Sequence, residues 1–132
     1  MTTSKRDAFI GLGVMGFPMA RHLSTASHDV IVYNRTTAKA EEWVKENVGS
    51  LALTPAEAAE RAEIVFICVG NDDDVRSVVS GDEGALSVMA PGSLIVDHTT
   101  ASATLAIELS QLCAQQEVGF VDAPISGGQA GA

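Results

Sequence analysis

The stretch Phe9-Ile10-Gly11-Leu12-Gly13-Val14-Met15-Gly16 decides how this chain folds. An apolar run, Ala8-Phe9-Ile10, leads into it, and an amphipathic stretch from Phe17 to Leu23 leads out. That is the pattern of a buried strand breaking into a glycine turn and then a helix. Gly11 permits the tight bend, Gly13 keeps a Cβ away from an approaching ligand, and Gly16 lets the helix pack close to the strand. The bare N–H groups and positive dipole end of the helix favour an anion. The pattern therefore fits the pyrophosphate of a dinucleotide. It is not a P-loop, because no Lys-Ser/Thr follows the glycines.

Outward from this turn, strands and helices alternate. Strands are expected at Ala8–Ile10, Val30–Tyr33, Ser50–Ala52, Ile64–Val69, Leu94–Asp97 and from Phe120-Val121 onward. The first helix is expected over Gly16–Ser24, with Pro18 in its first turn, where a missing N–H is harmless. Thr37 is the expected N-cap of a helix over Ala38–Asn47, closed by Gly49. Thr54-Pro55-Ala56-Glu57 reads as a capping box opening a helix to Arg61, and Asp72-Asp73-Asp74 opens another to Val79. A short helix is expected over Ala85–Met89. A last one, capped by Ser102, carries Leu105, Leu109, Leu112 and Cys113 on one face and is broken by Gly119.

Ile64–Val69 is continuously apolar and rich in β-branched residues, as a strand covered on both faces must be. Repeated βα units of this kind imply right-handed crossovers. The expected fold is a single α/β domain over residues 1–132: a Rossmann-type, doubly wound, mostly parallel sheet with helices on both faces. Ligands of such sheets sit beyond the carboxyl ends of the strands. The loops Gly11–Gly16, Asn34–Thr36, Val69–Asp74, His98–Thr100 and Pro124–Gly128 are therefore expected to line one crevice.

Composition narrows the partners. The chain has 132 residues, 46% of them hydrophobic, and a formal net charge of −9. So acidic a chain is unsuited to general nucleic-acid or anionic-membrane binding. No apolar run is long enough to span a bilayer, and Met1–Arg6 lacks the apolar core of a secretory signal. Cys68 and Cys113 lie in apolar segments at no metal-ligand or redox spacing, so buried, inert thiols and a cytoplasmic location are expected. No metal site is expected: three consecutive helical acids, Asp72 to Asp74, point in different directions.

Asn34-Arg35-Thr36 ends the second strand, where NAD binders usually carry an acid for the ribose hydroxyls. An amide, a guanidinium and a hydroxyl suit the 2′-phosphate of NADP instead, with NAD as the second candidate. Gly70, after Val69, removes bulk where a nucleotide can lie. The hydroxyls of Thr99 and Thr100 suit the nicotinamide amide or ribose. His98 is read as a hydrogen-bonded structural residue rather than a general acid, since no carboxylate partner is evident. His22 and His28 are read as structural or exposed. Ser126-Gly127-Gly128 forms a second glycine turn, suited to a carboxylate. No Ser–His–Asp or Cys–His arrangement has supporting spacing.

Gly11-Leu12-Gly13-Val14-Met15-Gly16-Phe17-Pro18-Met19-Ala20 resembles the N-terminal signature of the β-hydroxyacid dehydrogenases, which include 3-hydroxyisobutyrate dehydrogenase. Asp122-Ala123-Pro124-Ile125-Ser126-Gly127-Gly128-Gln129-Ala130-Gly131-Ala132 resembles that family's substrate signature, and the spacing between the two fits. The resemblance implies reversible NAD(P)-dependent oxidation of a β-hydroxyacid to its semialdehyde. It places Gly11, Leu12, Gly13, Val14, Met15 and Gly16 on the pyrophosphate, and Asn34, Arg35 and Thr36 in the pattern of NADP-preferring members. Val69 and Gly70 fall where the family often has Leu-Pro beside the adenosine. Asp74 lies near a further cofactor contact, Thr99 and Thr100 match the Ser/Thr near the nicotinamide ribose, and Ser126, Gly127 and Gly128 match the substrate-carboxylate anchor.

The family's catalytic lysine, its neighbouring asparagine and an all-helical second domain would lie beyond Ala132. Lys5, Lys39 and Lys45 are in the wrong places to substitute. The expectation is thus the cofactor domain of a longer, homo-oligomeric enzyme acting on a small hydroxyacid or semialdehyde, with no catalytic residue in this chain. An apolar patch is expected near its C-terminal end, where partner surface is missing. Two alternatives stand: a module that binds NADP(H) without turnover, and the cofactor domain of a 6-phosphogluconate dehydrogenase-like or imine reductase-like enzyme.

Overall fold

The computed structural model describes residues 6–26 and 28–125. Six strands form one sheet: β1 (Arg6–Ile10), β2 (Asp29–Tyr33), β3 (Ser50–Leu51), β4 (Ile64–Ile67), β5 (Leu94–Asp97) and β6 (Gly119–Asp122). Their order is β3-β2-β1-β4-β5-β6, and every pairing is parallel. The helices are α1 (Gly16–Thr25), α2 (Thr37–Glu46), α3 (Pro55–Ala59), α4 (Asp72–Ser80) and α5 (Ala103–Gln115), with a 3₁₀ turn at Ala85–Val88.

Alternation along the strands sorts the side chains into two cores. Ala8, Ile10, Val65, Ile67 and Ile95 face α3, α4 and α5, where Ala58, Val75, Val79, Leu105 and Leu109 meet them. Phe9, Val30 and Val32 face α1 and α2, packing with Ala20, Ala40 and Trp43. The doubly wound sheet read from the sequence is thus the observed one. The chain winds outward from β1 in both directions, which puts the switch point between β1 and β4.

Several boundaries moved, for local reasons. The cap of α2 is Thr36, one residue before the expected Thr37, and its hydroxyl makes no capping bond. The helix expected to reach Arg61 ends at Ala59. Regular pairing of β4 stops at Ile67, short of Val69, because the Val69 N–H turns to the Thr99 hydroxyl, 3.0 Å away. Gly119 does not break α5. That helix ends at Gln115, Glu117 takes the left-handed conformation (φ 60°), and Gly119 begins β6 opposite Leu94.

Among the polar groups of the core, two tie neighbouring elements together. Asp7 of β1 is fully buried and pairs with Nδ1 of half-buried His28. Trp43, also fully buried, donates its Nε1–H to the Phe17 carbonyl at 3.3 Å, tying α2 to α1. Among the described residues, no helix is long and apolar enough to cross a membrane.

Candidate dinucleotide site

A crevice of about 630 Å³ opens beyond the carboxyl ends of β2, β1 and β4. Its walls include Gly11, the run Gly13 to Gly16, the run Asn34 to Thr36, Val69, Gly70 and Asp74. Three of the five expected loops therefore converge.

The three glycines do different work. Gly11 sits at the fork of the sheet with φ +101°, its N–H bonded to the Tyr33 carbonyl at 2.9 Å. A Cβ on it would lie 2.1 Å from the Cys68 carbonyl oxygen. A Cβ on Gly16 would lie 1.9 Å from the Gly11 carbonyl oxygen and 3.2 Å from the Phe9 ring. Both glycines are required by the protein's own packing. Gly13 is not: a Cβ there meets nothing within 4 Å and would project into open space. Bulk is excluded at Gly13 only if something else is to come close.

Leu12 and Asn34 prove to be supports for the turn. The Leu12 side chain is fully buried, and its N–H donates to Asn34 Oδ1 at 2.8 Å. Asn34 Nδ2 donates to the Thr36 carbonyl at 3.0 Å. One amide thereby fixes the glycine turn against the loop that starts α2, and both its polar atoms are used in doing so.

The helix ends differ in a telling way. Helices α3, α4 and α5 are capped by side chains: Thr54 accepts from Glu57 N–H, Asn71 from Asp74 N–H and Ser102 from Leu105 N–H. Of the helices whose first turns border the crevice, α1 and α2 have neither a side-chain cap nor an acid in the first turn. Met15 and Gly16 at one end and Thr36 at the other line the crevice, so both positive dipole ends border one space, an arrangement suited to two separate anionic groups. Arg35 stands at the second of these ends with its side chain 85% exposed. Its Nη1 lies 3.3 Å from Asp74 Oδ1 on α4.

The loop after β5 differs from expectation. Thr99 is buried; its N–H donates to Asp97 Oδ1 at 2.9 Å, and its hydroxyl accepts from Val69 N–H. It is a brace between the β4 and β5 loops, and neither it nor exposed Thr100 lies among the crevice walls. His98 is structural as read: its Nδ1 bonds the Ala123 carbonyl at 2.8 Å, and its ring stacks on Phe66 with centroids 6.1 Å apart. Burial pushes the Asp97 carboxyl above the usual range; the Thr99 hydrogen bonds oppose this, and the Asp122 charge adds to it. Burial and then the Asp97 charge push the Cys68 thiol up, and burial takes Cys113 to about 11, so both stay protonated at neutral pH. Ser126, Gly127 and Gly128 lie outside the described residues.

The sequence did not single out Ser77, Asp82 and Glu83, which join Pro55 on the far wall of the crevice. The only sequence signal at Asp82 and Glu83 was a turn flanked by Gly81 and Gly84, and Ser77 lies within the helix expected from Asp72 to Val79. A second, mainly apolar cleft of about 350 Å³ lies between α1 and β4, and its lining includes Phe9, Met19, His22, Phe66, His98 and Ile125. Val121 in β6 is exposed as well. Among the described residues, no three His, Cys, Asp or Glu side chains come together as a metal-ligand set.

A parallel sheet in this order, with an open glycine turn at its switch point, defines a dinucleotide-binding domain. The chain belongs to the family of the NAD binding domain of 6-phosphogluconate dehydrogenase, whose pattern matches residues 7–132. An uncharacterized oxidoreductase of Shewanella frigidimarina (strain NCIMB 400) is 58% identical over 125 residues, covering 95% of this chain and 43% of that protein. A solved 3-hydroxyisobutyrate dehydrogenase of Mycobacterium tuberculosis, with L-serine, superposes with a TM-score of 0.88 at 31% identity, over 98% of this chain and 43% of the other. An imine reductase of Myxococcus stipitatus in complex with NADP+ superposes at 0.77 with 28% identity, over 87% of this chain and 39% of the other. The chain thus spans about two-fifths of the length of these relatives. The resemblance to 3-hydroxyisobutyrate dehydrogenases is borne out for the cofactor domain.

Proposed function

We propose that this chain is the NADP-binding domain of an oxidoreductase that interconverts a β-hydroxyacid and its semialdehyde. The observation that carries the cofactor half of this reading is the open face of Gly13, set between two uncapped helix ends with Arg35 at the second. Backbone N–H groups at the start of α1 take the pyrophosphate. Arg35, with Thr36 beside it, takes the 2′-phosphate through charge-assisted bonds. The hydride chemistry is supplied by the nicotinamide when it is bound; the protein supplies position and field.

The substrate half rests on the motif around Ser126, Gly127 and Gly128 and on the likeness to 3-hydroxyisobutyrate dehydrogenase. In this reading, those residues hold the substrate carboxylate, and the proton-transferring lysine belongs to a helical second domain beyond this chain. That domain also supplies the contact between subunits of a homo-oligomer. The free thiols Cys68 and Cys113 support a reducing, cytoplasmic setting.

Fluorescence titration tests the cofactor assignment. NADPH is expected to bind more tightly than NADH, and Arg35→Asp to weaken NADPH selectively by about 1–3 kcal/mol, the range for charged hydrogen bonds. Equal affinities, or equal losses for both cofactors in the variant, would remove Arg35 from the site. On the intact protein, assays with β-hydroxyacids and with imines separate this reaction from that of the imine reductase neighbour.

A further inference from the structure

We propose that Asp74 is a specificity-determining counter-ion: its carboxylate holds Arg35 across the crevice and competes with the 2′-phosphate for the guanidinium, setting how strongly NADPH is preferred over NADH. The inference rests on the assignment of Arg35 to that phosphate and adds a residue from a different element, 39 positions along the chain.

Three observations place the carboxylate there. Arg35 Nη1 and Asp74 Oδ1 are 3.3 Å apart, and both side chains line the crevice. The position of Asp74 is fixed at the first turn of α4, because its own N–H is bonded to the Asn71 cap at 2.9 Å. Its other oxygen, Oδ2, lies 2.7 Å from where a Cβ on Gly70 would be. Glycine at 70, which borders the crevice, thus also leaves room for this carboxylate. Any larger residue at 70 would push Asp74 out of its present place.

The energetics follow from charge. An acid beside the adenosine ribose repels a 2′-phosphate, as an acid at the end of β2 does in NAD binders. Here the acid comes from α4, and the guanidinium stands between it and the incoming group. A phosphate that engages Arg35 must loosen the Asp74 pair or lie close to its charge. NADH, which has no phosphate at this position, leaves the pair undisturbed. Exposed pairs of this kind are weak, so the effect is a tuning of preference.

The test is a set of NADPH and NADH dissociation constants on the purified protein and three variants. Asp74→Asn keeps the size and removes the charge. It is expected to raise the NADPH-over-NADH affinity ratio by about twofold to fivefold, mainly by tightening NADPH, with a weaker gain at high salt. Asp82→Asn removes an acid from the same crevice that makes no contact with Arg35, and is expected to move the ratio much less. In an Arg35→Met background there is no guanidinium to compete for, and Asp74→Asn is expected to move the ratio much less than in the wild type, by the direct repulsion of the 2′-phosphate alone.

The proposal is overturned if Asp74→Asn leaves the ratio where it was. It is also overturned if Asp82→Asn moves the ratio as far, since the cause is then the general field. A loss of NADH affinity in Asp74→Asn would make Asp74 a ribose ligand and overturn it too. Failure of the underlying cofactor assignment looks different: Arg35→Met alone would then weaken NADPH and NADH equally.

Discussion

At the scale of single residues, the glycine turn separates what the fold needs from what the ligand needs. Gly16 is locked against the Gly11 carbonyl, whereas Gly13 faces open space without a positive φ. Gly16→Ala is expected to lower unfolding stability by about 2 kcal/mol or more through overpacking against backbone. Gly13→Ala is expected to leave stability unchanged or slightly raised, while NADPH affinity falls about tenfold or more as charged backbone hydrogen bonds are blocked. Thermal melts and NADPH titration on the two variants check this; a Gly13→Ala protein that binds normally would mean the turn holds no phosphate. Gly11 was legible because conformational demand and residue type coincide there, and Gly13 and Gly16 because their spacing from it repeats the pattern of a strand–turn–helix that holds a dinucleotide. Asn34 was legible as a polar residue at the right place but not as a brace, since its partner Leu12 N–H lies 22 positions earlier. The Asp7–His28 pair was invisible for the same reason: nothing local marks an acid that the fold buries.

At the scale of elements, alternation and caps carried most of the information. The strands, their parallel pairing and the capped starts of α3 and α5 follow from local sequence signals. Ends decided by tertiary contact did not follow. β4 gives up pairing at Val69 because a hydroxyl from the β5 loop takes its N–H, and that hydroxyl is Thr99, which the sequence placed on the cofactor. Asp97, Thr99 and Val69 form one brace joining the ends of β5 and β4. Burial raises the pKa of the Asp97 carboxyl above the ordinary carboxylate range. A raised acid is favoured in its protonated form, so its ionisation costs stability in full above the folded-state pKa. That cost disappears as pH falls through the folded value toward the unfolded one. Asp97→Asn, which keeps an oxygen for the Thr99 N–H, is therefore expected to gain on the wild type most at about pH 7 and least at about pH 3.5. Denaturant unfolding at both pH values checks the sign; a gain that grows on acidification would show that ionised Asp97 is stabilised by its hydrogen bonds.

At the scale of the whole molecule, a chain of net charge −9 is proposed to capture a polyanion, and the crevice itself includes Asp74, Asp82 and Glu83. The attractive elements are local: two helix ends and Arg35, all effective over a few ångströms. The repulsion is long-ranged and screened by salt. Raising KCl from about 20 to about 200 mM shortens the Debye length from roughly 20 Å to roughly 7 Å, less than the span of a domain this size. Encounter and docking should then respond in opposite directions. The association rate of NADPH is expected to rise severalfold over that range as repulsion is screened, and the dissociation rate to rise as well, because the contacts at Arg35 weaken. Stopped-flow measurements of NADPH fluorescence give both rates. NADH, with less charge, is expected to show the same trend in association with a smaller slope. An association rate that falls with salt would mean that the field at the crevice mouth is positive. The helix ends and Arg35 would then outweigh every acid on the molecule even at a distance, and capture would be steered rather than opposed.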